Sequence, residues 1–318
     1  MRHVICHYHI YKNSGTTFDA ILARNFGERH VAFDGPFPYF SIAQKELAKV
    51  IQRHRAAVAF SSHQISLPVP SSLDFNVLPV VFLRHPILRI RSIYEFKRAE
   101  DDGTATSRNA TGMSFAEWCR YGLSHPQELT QISNAQVRLL SRTADGSTAG
   151  RRTREALVYD LYQARRALNN VELLARTERF SRDVSRFPAL LERYGIAFEV
   201  GDTTPRNVTA SRFGKTIAQR LEDVAEELGE ETMAALLAAN QQDLELYAEI
   251  GERLDAEPAP VESETLPAEP EDDAADEAGE DGVGQEDGED GADGQADAGA
   301  MSDADTVAEP SSVSSSSS

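Results

Sequence analysis

Cys6-His7-Tyr8-His9-Ile10-Tyr11-Lys12-Asn13-Ser14-Gly15-Thr16-Thr17 is the stretch from which the rest of the chain is read. Val4 to Ile10 is apolar and β-favouring, and a short polar turn follows it. Behind the turn, Phe18, Ile21, Leu22 and Phe26 recur at the helical spacings of three and four. Strand, tight turn and helix together leave the first N–H groups of the helix, and the positive end of its dipole, facing whatever lies beyond the strand. Gly15 permits close approach of the backbone, Thr16 and Thr17 bring hydroxyls to the helix start, and Lys12 places a compact positive charge at the lip. These residues suit a phosphate-like anion. Taken alone, they suit an ordinary turn with an exposed lysine equally well.

Spacing separates this loop from one class of nucleotide site. The NTPase loop reads G-x-x-x-x-G-K-[ST], with the lysine after the last glycine and a hydroxyl reserved for magnesium. Here Lys12 precedes Gly15.

Composition divides the chain in two. Of 51 acidic and 32 basic residues, 22 acidic and one basic, Arg253, lie from Glu252 onward, leaving 31 basic and 29 acidic before it. The expected organisation is a folded domain over residues 1–251 and a disordered, acidic, serine-ended tail over 252–318, too poor in apolar residues to offset the entropy of ordering. The low isoelectric point therefore belongs to the tail. Two cysteines, Cys6 and Cys119, make no disulfide framework and fit a reducing compartment. No run of about 18 apolar residues and no signal-like segment is present, so no membrane span is expected and the expected setting is cytoplasmic. No nucleic-acid partner is expected.

Along the domain, His30 to Ser41 reads as loop and Ile42 to Arg55 as helix. Ala56 to Phe60 reads as a buried strand ending at Ser61-Ser62-His63. Leu78 to Leu83 is a second apolar strand delivering Arg84-His85-Pro86, with a helix from about Ile87 to Ala99. Asp101 to Gly112 is a loop by composition. Helices are expected over Phe115 to Leu123, Ile132 to Leu140, Arg152 to Asn169, Phe180 to Tyr194, Lys215 to Leu228 and Glu231 to Ile250, with a strand over Val171 to Arg176. The alternation predicts an α/β fold, a P-loop-like parallel sheet flanked by helices. Ligands of such sheets sit at the carboxyl ends of the strands, where Lys12 to Thr17, Ser61 to Gln64 and Arg84 to Arg89 all lie.

A second cluster is Leu83-Arg84-His85-Pro86-Ile87-Leu88-Arg89-Ile90-Arg91-Ser92-Ile93-Tyr94. Arg84, Arg89, Arg91 and Lys97 together read most simply as a solvated helix face. Arg84 differs because it directly follows an apolar strand, where a guanidinium is placed for bidentate phosphate contact.

The two stretches together resemble the sulfotransferases that use 3′-phosphoadenosine 5′-phosphosulfate (PAPS). His9 to Thr17 is similar to the H-I-P-K-T-G-G-T-S pattern of carbohydrate sulfotransferases of the heparan 2-O-sulfating type, with Tyr11 for Pro and Ser14 for the first Gly. Leu83 to Tyr94 resembles their L-R-D-P-x-x-R-x-x-S-x-Y motif, with His85 for Asp. The resemblance implies that Lys12, Asn13, Ser14, Gly15, Thr16 and Thr17 hold the 5′-phosphosulfate and that Arg84 and Ser92 hold the 3′-phosphate. It also implies a hydroxyl acceptor, a carbohydrate or glycoconjugate. Ile132 to Leu140 resembles a family helix with an N-x-Q-x-R-x-L pattern, and Ala175 to Phe180 a late strand end.

An acceptor hydroxyl needs a base. His63 follows a strand at the place where those relatives carry a catalytic His, and its ordinary pKa of about 6.5 suits it to accept a proton. His7, His9 and His85 are alternatives. Lys12 would stabilise charge on the transferred group as a second catalytic residue. No metal is expected. Arg206 and Lys215 read as a nucleotide lid or as surface, and Arg108 as an acceptor contact or as surface. A magnesium-dependent kinase and a non-catalytic nucleotide-binding protein are the competing readings.

Overall fold

A computed structural model of the chain describes residues 1–37, 40–100, 104–201 and 214–257. In chain order the strands are β1 (Arg2–Tyr8), β2 (His30–Ala32), β3 (Ala59–Ser62), β4 (Phe75–Leu83), β5 (Arg151–Arg152), β6 (Leu157–Val158) and β7 (Leu173–Arg176). Five of them form one sheet in the order β2-β3-β1-β4-β7, with every neighbouring pair parallel. β5 and β6 form a separate antiparallel ribbon. The expected parallel α/β sheet is present. Val4, Ile5, Cys6, Val80 and Val81 have no exposed surface, as parallel strands covered on both faces require.

The chain leaves β1 toward β2 on one side, and later places β4 and β7 on the other. In open parallel sheets, a reversal of this kind marks the strand end at which ligands are bound. Helix α1 (Gly15–Phe26) covers one face with Phe18, Ile21 and Leu22. α2 (Gln44–Arg53) covers the other with Leu47 and Ile51. α3 (Pro86–Ala99) starts directly after β4 with proline at its first position, where the missing N–H costs no helical bond.

Several expectations are corrected. β2 lies within the expected loop His30 to Ser41. At three residues it is too short for periodicity to show, and it is held by pairing His30–Ala32 to Ala59–Ser61. α4 (Ala105–Gly112) occupies the expected loop Asp101 to Gly112, started by Thr104, whose hydroxyl accepts from the Ser107 N–H. α5 (Phe115–Ser124) is as expected, while Pro126 starts a separate α6 (Pro126–Ile132) before α7 (Ala135–Leu140).

The long helix from Arg152 is instead the β5–β6 ribbon followed by α8 (Leu161–Asn169), capped by the Asp160 side chain. Phe180 to Tyr194 breaks into α9 (Phe180–Val184) and α10 (Phe187–Glu192). After α11 (Ile217–Leu228), the last helix divides into α12 (Glu230–Ala239) and α13 (Gln241–Ala256) at Asn240. That residue is buried, and its side chain donates to Ile132 O and accepts from the Asn134 N–H. Residues 258–318, and with them almost all of the expected tail, lie outside the described residues, as does Arg206. Cys6 and Cys119 are free and buried, and burial pushes both thiols up. No helix among the described residues is long and apolar enough to cross a membrane.

Candidate functional site

The loop after β1 is shaped by two left-handed residues, Lys12 with φ 65° and Ser14 with φ 63°. Ser14 stands where the resembled pattern has glycine, so the departure costs backbone strain but keeps the turn. α1 begins at once with no side-chain cap and no acidic residue in its first turn, so no charge in that turn offsets the positive end of its dipole. Thr16 is exposed there and Thr17 is buried. Gly15 serves a second purpose. A Cβ at this position would lie 1.8 Å from His9 Nε2, so the imidazole packs directly on the helix start.

Asn13 shapes the loop. Its amide donates to Phe82 O and to Gln136 Oε1, both at 2.8 Å, and its backbone N–H donates to Ile10 O. The Lys12 ammonium lies 4.0 Å above the centroid of the Phe96 ring, a cation–π contact that directs it along α3.

Arg84 meets this loop from β4. Its Nη1 donates to Lys12 O at 2.8 Å, and Nε lies 3.7 Å from Glu178 Oε1. Gln136 joins the two motifs. Its Oε1 accepts from Asn13 and from the Arg84 N–H, its Nε2 donates to Arg84 O at 2.8 Å, and its own N–H donates to Asp243. The carboxyl group absent at His85 is supplied from the turn just after β7: Glu178, whose side chain is fully buried, accepts from the His85 N–H and from Tyr247 Oη. Burial lowers the His85 pKa, against the opposing pull of Glu178.

The solvated-face reading divides along α3. Arg89 is buried, donating to Tyr11 O and Gln131 O, and burial lowers it to about 10. Arg91 pairs with Glu95 and Glu227, and Lys97 with Glu100. Ser92 lies half-buried two turns along α3 from Arg84.

Across β1 lies the histidine group. His7 and His9 share one face of the strand, as alternation requires. Their Nδ1 atoms meet Asp19 Oδ1 at 2.7 Å and Oδ2 at 3.1 Å, and Ser61 Oγ also donates to Oδ1. Burial raises the Asp19 carboxyl, but the bonds from the two rings outweigh it and hold it far below the usual range. His63 stacks on His9, with centroids 3.9 Å apart, and its Nδ1 lies 3.1 Å from Asp34 Oδ2. Burial and the neighbouring His9 lower the His63 pKa, against a smaller upward pull from Asp34, so the ring is neutral at pH 7.

His7, His9 and Asp19 bring one ligand atom each within 4.8 Å of one another. This is a donor set of the kind that holds zinc, so the side chains present do not argue for a metal-free site.

The structure thus brings Lys12, Ser14, Gly15 and Thr16 together with Arg84, and His63 to the opposite flank of the same loop. Lys215 pairs with Asp223, and Arg108 is exposed on α4. Gln136, Glu178, Asp19 and Asp34 have no role in the sequence reading. The N-x-Q-x-R-x-L pattern was the one available signal for Gln136.

The loop after β1 and the arginine after β4 thus meet at adjacent strand ends of a parallel sheet. The sequence pattern of the Sulfotransferase family matches residues 1–248, and the chain belongs to that family. It is also 28% identical over 257 residues to an uncharacterized protein of Archaeoglobus fulgidus, covering 78% of this chain and 96% of the relative.

Proposed function

We propose that the protein transfers the sulfuryl group of PAPS to a hydroxyl of a carbohydrate or glycoconjugate acceptor. The observation that carries this is the joining of the two motifs, with Arg84 Nη1 on Lys12 O and Gln136 bound to both Asn13 and Arg84. A single rigid unit then holds one anion at the start of α1 and another at Arg84 and Ser92, as a donor with phosphate at both 5′ and 3′ ends requires.

In this reading His63 Nε2 takes the acceptor's proton as its oxygen attacks sulfur. The new O–S bond forms as the bond from sulfur to the bridging oxygen breaks, and 3′-phosphoadenosine 5′-phosphate (PAP) leaves with both electrons. Lys12 and the N–H groups at the start of α1 stabilise the charge gathering on the leaving oxygen. Holding both reactants in line supplies much of the remaining acceleration. No step needs a metal, and chelator-treated protein is expected to keep its activity.

The test is conversion of PAPS to PAP in the presence of a panel of hydroxyl acceptors, with water as the default acceptor. Sulfated product, formed without magnesium and lost in Arg84→Ala, is the expected result. Transfer from ATP that requires magnesium would replace this reading with the kinase.

A further inference from the structure

We propose that Asp34 is the positioning residue of the His63 base, fixing which ring nitrogen carries the proton. This inference rests on the reading of His63 above and extends it to a residue outside both donor motifs.

The side chain of His63 is 47% exposed, so packing alone does not hold its ring. Two contacts do. One is the His9 ring beneath it, itself fixed by Asp19 and by the bare Cα of Gly15. The other is Asp34, whose two carboxylate oxygens have different duties. Oδ1 accepts from Ser62 Oγ at 2.7 Å and from the His63 N–H at 2.9 Å. Oδ2 faces His63 Nδ1 at 3.1 Å. The loop bearing Asp34 is itself tied down, since the Phe33 N–H donates to Ser61 O and the Gly35 N–H to Gln64 Oε1.

A carboxylate oxygen only accepts, so Nδ1 must carry the hydrogen and Nε2 is left with its lone pair, pointing away from Asp34. That is the base-competent tautomer. The charged or titratable groups acting on His63 are His9, Asp34 and, at longer range, Asp19. Because Asp34 is also 40% exposed, solvent screens its charge, and orientation is the larger part of its effect.

Asp34→Asn inverts the arrangement. With Oδ1 still engaged by two donors, the amide places its NH2 group at the former Oδ2, where it donates to Nδ1 and forces the hydrogen onto Nε2. The full-length protein, labelled with 15N-histidine, would be studied by long-range 1H–15N correlation above pH 7, beside PAP titration and PAPS turnover. The expected result is Nδ1–H at His63 in the wild type and Nε2–H in Asp34→Asn. PAP affinity should be unchanged and PAPS turnover lowered by about 10²- to 10⁴-fold, the contribution of a general base. A wild-type His63 in the Nε2–H form would overturn the proposal, and this outcome does not depend on the variant folding. So would Asp34→Asn with unchanged turnover. Failure of PAP to bind the wild type would instead remove the donor reading while leaving the tautomer result standing.

Discussion

The two flanks of the β1 loop are built to different standards. On the β4 side, Asn13, Arg84, Arg89 and Gln136 are all under 10% exposed and are tied to backbone carbonyls and to one another. On the β3 side, His63 and Asp34 are nearly half exposed and are held by one ring contact and one carboxylate. In the proposed reading, the first flank is core that also binds, and the second is surface that also reacts. Substitutions on the β4 side should therefore cost stability and ligand affinity together, whereas those on the β3 side should separate chemistry from folding.

The largest effect is expected for His63→Ala, with turnover reduced by about 10²- to 10⁴-fold and PAP affinity and melting temperature both preserved. Loss of PAP binding in this variant would erase the distinction between the flanks. Next is Gln136→Ala, which strands the buried Asn13 amide and the Arg84 N–H and should destabilise by about 3 kcal/mol in urea unfolding, at about 1–3 kcal/mol for each unmet group. A fully stable variant would show that the joint between the motifs is not structural.

Gly15→Ala should cost about 1–3 kcal/mol and impair turnover, because its methyl group and the His9 ring claim one space. The pH profile gives a smaller test. His63 is lowered by burial and by His9, so the base is neutral at pH 7, and activity should fall only as pH drops through a value below the ordinary 6.5 or so. An acid limb above pH 7 would point to another group. Smallest of all, Lys215→Ala should leave PAP affinity unchanged, since Lys215 pairs with Asp223 on the surface. A clear loss would restore its reading as a lid.

The sequence made the local parts of this site legible. Lys12 to Thr17 and Arg84 to Ser92 each lie within one strand-turn-helix unit, so residue order alone states their geometry. The position of His63 was readable for the same reason, at the end of an apolar run, while its role as base belongs to the proposal. The parts that join units were not readable. Gln136 meets Arg84 from 52 residues away, and Glu178 meets His85 from 93. Asp34 follows a strand of three residues that exists only because β3 is there to pair with it. Glu178 is the clearest case. His85 looked like the loss of a carboxyl group, and the fold returns one from the turn after β7.

The central claim, that the two motifs form one site for a ligand phosphorylated at both its 5′ and 3′ ends, is tested most directly by thermal-shift titration with PAP, run beside ATP with and without magnesium. A ligand that binds only the folded state raises the melting temperature with concentration. Metal-independent stabilisation by PAP, lost in Lys12→Ala and in Arg84→Ala, is the predicted result. Stabilisation by ATP with magnesium alone would contradict it.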